Sequence, residues 1–370
     1  MNKTIGLFIQ PGHLLSNGIT QQGHYTKLAL DACGYNTQLI STEQISEYNE
    51  LGHNVEVVSL DTNMSKFSII IFVSALITST DSQNCKFLQK AKCENVKLVN
   101  LICGNIFYLY QEEIIFDVHH ILKSNVNEFL DEIWVLPMYE YSVQMLETFF
   151  KKPVKVVPYI WNSDILHFMW KKMHNNNSLP YYKKTVPNDL VTLFSVEPNM
   201  SVHKNAFVPM MACESYFHKF NKLKSMCVLC GKKLRINDLH HYLTFIKQGK
   251  LELYDRLPFI DLLGQSLKNN LPTPVVISHQ YLNDLNFVHF ETLYLGWPLV
   301  HNCDRLINVG YFYNKDNVND ASLQIEYARL NHSEVYDKYM KNVHEFLEKY
   351  NPKNSEVSKI YKNRIENLVS

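Results

Sequence analysis

Three short stretches of the sequence hold the residue types that chemistry needs. In Phe194-Ser195-Val196-Glu197-Pro198-Asn199-Met200-Ser201-Val202-His203-Lys204 an apolar, strand-like run ends in polar residues and a helical pattern over 202–220 follows. Asn199 or Ser201 is suited to cap that helix, which predicts Lys204 in its first turn. A helix start beside an ammonium makes a cradle for an anion. Free backbone N–H groups and the helix dipole hold the oxygens, and the lysine neutralises charge. Glu197 stands at the strand end of the same stretch.

The segment 277–302 is denser. A strand ends at Ser278-His279-Gln280, and the chain passes Asn283 and Asn286 into a helix over 285–295 that carries Glu291. Asn283 and Glu291 are eight residues apart, a little over two helical turns, so both are predicted on one side near the loop. A carboxylate among Phe287, Val288, Phe290 and Leu293 needs a partner. The paired hydroxyls of a ribose would supply one. The third stretch is the loop after the first strand, Gly12-His13-Leu14-Leu15-Ser16-Asn17-Gly18, where Gly18 is predicted to allow positive φ and close backbone approach. It is not GxGxxG, so the nicotinamide fingerprint is absent. Asn105 and Glu112 follow the end of a further strand. A carboxylate or an imidazole there could deprotonate an acceptor hydroxyl, with Glu112 and His13 as candidates, or Glu112 and Glu113 could simply complement a helix dipole.

The elements that must position these residues alternate along the chain. Apolar runs at 5–9, 55–60, 67–73, 97–103, 132–136 and 154–158 read as strands, and a helix over 20–33 ends at Gly34. The second half repeats the rhythm at 190–196, 226–230, 251–254, 275–278 and 298–301, with helices at 259–269, 334–350 and 355–368. The strands lack clean alternation, as expected where helices cover both faces of a parallel sheet. The fold class is therefore α/β, with two facing doubly wound, Rossmann-like domains over 1–160 and 161–345 and a C-terminal helix over 346–370. A cleft between two such domains is the expected site. The lysine-rich, Asn-rich stretch 162–188 reads as the hinge.

Composition narrows the classes. Across 370 residues, 36 Lys plus Arg balance 36 Asp plus Glu, and 46% hydrophobic residues exclude a disordered or collagen-like chain. The zero net charge argues against a strongly basic nucleic-acid coat protein. Charge is uneven, however: 1–150 carries 8 Lys against 16 acidic residues, and 151–185 carries 7 Lys against Asp164 alone. That basic stretch reads as a solvated linker or as a rim for an anionic substrate. The apolar run near the start is shorter than the ~7–15 residues of a signal peptide, and no run approaches a membrane span. With 8 scattered Cys this predicts a cytoplasmic protein with reduced thiols. Cys227 and Cys230 have no second pair, and no Asp-x-Asp triplet occurs, so neither a bound metal nor another cofactor is expected.

The two-domain layout and the segment 277–302 resemble nucleotide-sugar glycosyltransferases of the GT-B architecture. Many retaining members carry Glu-x7-Glu in the last βαβ unit; Glu291 matches the second Glu, and Asn283 replaces the first. More closely, the chain is similar to a poorly characterised bacterial and bacteriophage glycosyltransferase family over roughly 5–330. The shared motifs are Asn17-Gly18 with Gln21, Gly104-Asn105, Val157-Pro158 with Trp161, Glu197-Pro198-Asn199 with Ser201 and Lys204, and His279-Gln280 through Asn302.

The resemblance implies sugar transfer from a nucleotide-sugar donor, a UDP-sugar by preference, without a metal. The acceptor would be a glycan or, in a phage within its host's cytoplasm, hydroxymethylcytosine in DNA, as for a phage arabinosyltransferase. On that reading His13, Asn105 and Glu112, placed after strand ends, are the catalytic candidates. Donor contacts would come from Gly18, Glu197, Asn199, Ser201, Lys204, Ser278, His279, Asn283, Asn286 and Glu291. A nucleotide-sugar 2-epimerase and a non-catalytic nucleotide- or glycan-binding protein are the alternatives.

Overall fold

The computed structural model describes residues 4–10, 14, 18–74, 82–118, 127–184, 189–269 and 274–369. The chain divides into two compact units, Met1–Asn162 with Lys349–Ser370, and Ser163–Glu348. Among the described residues no helix is long and apolar enough to cross a membrane.

The first unit runs β1 (Thr4–Phe8), α1 (Gly18–Ala32), β2 (Thr37–Ser41), α2 (Ser46–Glu50), β3 (Val55–Val57), β4 (Phe67–Val73), α3 (Ser82–Cys93), β5 (Lys97–Ile102), α4 (Ile106–Phe116), β6 (Glu132–Val135), α5 (Val143–Phe150) and β7 (Val154–Val156). The second runs α6 (Asp164–His174), β8 (Val191–Ser195), α7 (Phe207–Phe220), β9 (Leu223–Val228), α8 (Thr244–Lys247), β10 (Leu251–Leu253), α9 (Phe259–Lys268), β11 (Pro274–Ile277), α10 (Phe287–Tyr294), β12 (Leu299–His301), β13 (Tyr311–Phe312) and α11 (Val318–Glu348). The last helix, α12 (Ser355–Val369), belongs to the first unit. There Tyr361 Oη donates to the Pro158 carbonyl at 3.1 Å, and Cys33 Sγ donates to the Ser358 carbonyl at 3.2 Å.

Both sheets are parallel throughout. Their orders are β3-β2-β1-β4-β5-β6-β7 and β10-β9-β8-β11-β12-β13. Each is a doubly wound, Rossmann-like sheet. The order reverses between β1 and β4 in one and between β8 and β11 in the other, and loops leaving such a pair diverge to open a crevice. The central strands β4 and β8 are buried almost end to end, which explains why neither alternates in sequence.

Four expectations need correction. The predicted hinge holds α6, whose Ile165, Leu166, Met169 and Trp170 form a buried stripe. Strands β2 and β13 went unpredicted because one is short with polar ends and the other spans two residues. The helix expected from 334 starts at Val318. Finally, α7 starts at Phe207 rather than 202, because Pro209 is tolerated in a first turn and would break a helix begun earlier.

In the second unit α9 packs against α6 through Gly264. A Cβ there would lie 2.5 Å from Trp170 Cη2, and the Trp170 side chain is itself packed into the core. Gly264→Ala should therefore destabilise the second unit by about 1–3 kcal/mol, read as a lower urea midpoint. An unchanged midpoint would show that α6 yields easily.

Candidate functional site

The switch point of the second unit gathers most of the predicted residues. In register, Ser195 of β8 faces Ile277 of β11, and Ile277 faces Val300 of β12. The residues just beyond these strand ends, Glu197, Ser278 and Asn302, therefore emerge at one level of the sheet.

Glu197 is wholly buried. Its Oε1 accepts from Ser278 Oγ and its Oε2 from Gln280 Nε2, both at 2.5 Å. Burial pushes its carboxyl up to about 7, against the opposing pull of the Ser278 hydrogen bond, the Lys204 charge and Gln280. Lys204 is half-buried. Burial pushes its ammonium down, and Glu197 and Cys303 pull it back up. A reciprocal pair anchors the loop after β11: Gln280 N donates to Asn302 Oδ1 at 2.8 Å, and Asn302 Nδ2 donates to the Gln280 carbonyl at 2.9 Å. The Gln280 side-chain oxygen in turn accepts from Asn283 Nδ2 at 2.7 Å.

Glu291 differs from Glu197. It lies on α10, is 6% exposed, and its side chain has no hydrogen bond or ion pair among the described residues. Burial alone pushes its carboxyl up to about 8. A carboxyl in that condition is a ready acceptor for incoming hydroxyl donors. His279 is nearly buried and its Nδ1 lies 3.0 Å from Tyr313 Oη, which in turn donates to the Ser278 carbonyl at 3.1 Å. Burial pushes the His279 ring down, toward its neutral form.

Several predicted residues have other local tasks. Asn199, at φ 52°, ties its loop together: Oδ1 accepts from Ala206 N at 2.8 Å and Nδ2 donates to the Leu229 carbonyl at 2.9 Å. Ser201 Oγ meets His203 Nδ1 at 2.5 Å. Neither Asn199 nor Ser201 caps α7, and Lys204 precedes that helix instead of lying in its first turn. Asn286 caps α10 by accepting from Val288 N at 3.2 Å. Asn283 sits in the loop before α10, so it does not share a helix face with Glu291 as the spacing predicted. The helix starts at its cap, three residues past Asn283.

In the first unit Asn105 caps α4, accepting from Tyr108 N at 3.4 Å and donating to Tyr141 Oη at 2.8 Å. Glu112 lies buried near the middle of α4, not at its opening turn. Gly18 is the first residue of α1. His13 lies outside the described residues, as does Asn17.

Sequence reasoning missed His289 and Cys303. His289 Nε2 is 2.7 Å from Ser278 Oγ, and its Nδ1 is 3.8 Å from Cys303 Sγ. Both residues are fully buried. A histidine two residues before Glu291 on an apolar helix was the available signal, since it too needs a polar partner.

The second unit thus sets an ammonium and a buried carboxyl just past the end of β8, and an unpartnered carboxyl on α10, the helix that follows β11. That set suits a ligand with an anionic part and paired hydroxyls.

A family model described as a protein of unknown function (DUF2827) matches residues 4–365. No curated protein matches the chain in sequence. Among solved structures, the chain is similar to an alpha-glucosyltransferase in complex with UDP and a 13-mer DNA containing an HMU base, at 12% identity and TM-score 0.60 over 100% of both chains. It is similar to HepE of Anabaena in complex with UDP and glucose, at 12% identity and TM-score 0.57 over 100% of both chains. A glycosyltransferase from Rickettsia africae matches at 14% identity and TM-score 0.55 over 99% of both. At these identities the likeness is one of fold, that of the GT-B glycosyltransferases.

Proposed function

The chain belongs to the family of proteins of unknown function DUF2827, and from that premise we propose that it is a glycosyltransferase moving a sugar from a nucleotide-sugar donor, a UDP-sugar foremost, to an acceptor hydroxyl. The observation that carries this reading is Glu291, a carboxyl 6% exposed whose side chain has no partner among the described residues, on α10, the helix that follows the switch-point strand β11. Paired ribose hydroxyls are the donors it lacks.

In this mechanism Lys204 faces the donor diphosphate. The bond from the sugar's anomeric carbon to the diphosphate oxygen breaks, and charge flows onto the leaving group. The Lys204 ammonium neutralises that charge, so no divalent ion is required. Ser278, His279, Asn283 and Asn286 line the sugar and phosphate side, and Asn105 with Glu112 or His13 serves the acceptor hydroxyl.

For the acceptor, hydroxymethylated cytosine in DNA has two supports. One similar solved structure holds a DNA containing an HMU base, and Lys171 and Lys172 stand in the last turn of α6. A base in duplex DNA must leave the stack to react, and phosphate contacts make binding salt-dependent. A glycan is the other acceptor.

The test incubates the protein with UDP-, GDP- and dTDP-sugars, with EDTA, and with or without hydroxymethylcytosine DNA or a glycan panel. Mass spectrometry should show an acceptor heavier by one sugar residue. A sugar nucleotide altered without a mass change would indicate an epimerase, and no turnover would indicate a binding protein. DNA retention that does not weaken between about 50 and 200 mM salt would count against the DNA acceptor.

A further inference from the structure

Glu197, Ser278, His289 and Cys303 form a buried chain, of which the transfer reading uses only Ser278. The links are Glu197 Oε1 to Ser278 Oγ at 2.5 Å, Ser278 Oγ to His289 Nε2 at 2.7 Å, and His289 Nδ1 to Cys303 Sγ at 3.8 Å. All four residues are wholly buried. Ser278 has a single hydroxyl hydrogen and stands between a carboxylate and an imidazole. The chain therefore has two complete hydrogen-bond arrangements. In the first, Glu197 is ionised, Ser278 donates to it, His289 donates from Nε2 to Ser278, and Cys303 donates to Nδ1. In the second, Glu197 holds one further proton and donates to Ser278. Ser278 then donates to His289 Nε2, and the ring carries its hydrogen on Nδ1, facing Cys303. His289 stays neutral in both, as its burial demands.

We infer that this chain is a proton gauge for the donor site: Glu197 takes up one proton when a diphosphate docks beside Lys204, and the hydrogen bonds reverse direction as far as His289. The inference rests on the donor reading above. Its physical cause is charge. An ionised Glu197 already offsets Lys204 and would repel an arriving polyanion across a low-dielectric interior. Protonation removes the repulsion and frees the ammonium for the ligand. Burial already holds the Glu197 carboxyl at about 7, so the change needs little further input near neutral pH. The other groups facing the chain are Lys204 from the loop after β8, Gln280, His279 and Asp284 after β11, His301 on β12, Asp304 after β12 and Tyr313 after β13, with Asp284 and Asp304 facing Cys303. His301 is pinned neutral, with Nε2 donating to the Val309 carbonyl at 2.7 Å.

The experiment follows the His289 tautomer by long-range nitrogen-15 NMR, and proton uptake by calorimetry in buffers of different ionisation enthalpy, with UDP as the probe at pH 8. The wild type should carry the ring hydrogen on Nε2 when free and on Nδ1 with UDP bound. Its uptake should exceed that of Glu197→Gln by about half a proton or more. The comparison with the variant cancels proton changes at Glu291, and the tautomer readout does not depend on Lys204, whose ammonium Glu197 supports. Glu197→Gln, whose amide donates to Ser278 at any pH, should show the Nδ1 form throughout. Bound UDP with an unchanged tautomer overturns the inference alone. Failure of UDP to bind overturns it together with the donor reading.

Discussion

Replacing Lys204 by alanine should lower turnover about 10²–10³-fold, the usual cost of removing one group that stabilises charge developing in a transition state. The effect belongs in kcat more than in KM, because negative charge on the diphosphate grows as the glycosidic bond breaks. The fold should survive. Lys204 is one of the influences that lower the Glu197 carboxyl, so its removal lets Glu197 become neutral near pH 7 and leaves no unpaired buried charge. Lys204→Arg keeps the charge and should retain more activity than alanine. Steady-state rates with a UDP-sugar donor check this, and a Lys204→Ala enzyme with wild-type kcat would remove Lys204 from the chemistry.

Glu291→Ala should weaken UDP binding roughly 10- to 150-fold, the equivalent of about 1.5–3 kcal/mol for hydrogen bonds to a charged group. The sign of its pH dependence follows from its pKa. Hydroxyls that donate to the carboxylate favour its ionised form, so this residue's share of binding should strengthen as pH rises toward about 8. Glu291→Gln should flatten that share. Stability behaves oppositely. A carboxyl at about 8 in the fold and near its ordinary value in the unfolded chain makes the fold less stable as pH rises between the two. Glu291→Gln should therefore be about as stable as the wild type near pH 4 and progressively more stable as pH rises toward 8. Calorimetric titrations and thermal melts read both effects, and unaltered UDP affinity in Glu291→Ala would refute the ribose role.

The sheets were legible because parallel strands are continuous apolar runs: β4 matches its expected bounds, Phe67–Val73, residue for residue. Strand ends then marked the site, since Ser278 and Glu197 are the first polar residues after such runs. Helix starts were harder to place. The polar run before α7 offered several caps, and Pro209 was the signal that excluded an early start. Asn283 illustrates the same difficulty, because helical spacing has no meaning before the helix begins. The partnership of Ser278, His289 and Cys303 joins residues from the ends of β11 and β12 with one on α10, and no local pattern encodes a contact of that kind.

The central claim is that the second unit holds a nucleotide diphosphate without a divalent ion. Titrating the wild-type protein with UDP in the presence of EDTA tests it most directly. The account predicts saturable binding, with an affinity of about 1 μM to 1 mM that Lys204→Ala and Glu291→Ala both weaken. No binding, or binding that appears only when Mg²⁺ or Mn²⁺ is restored, would contradict it.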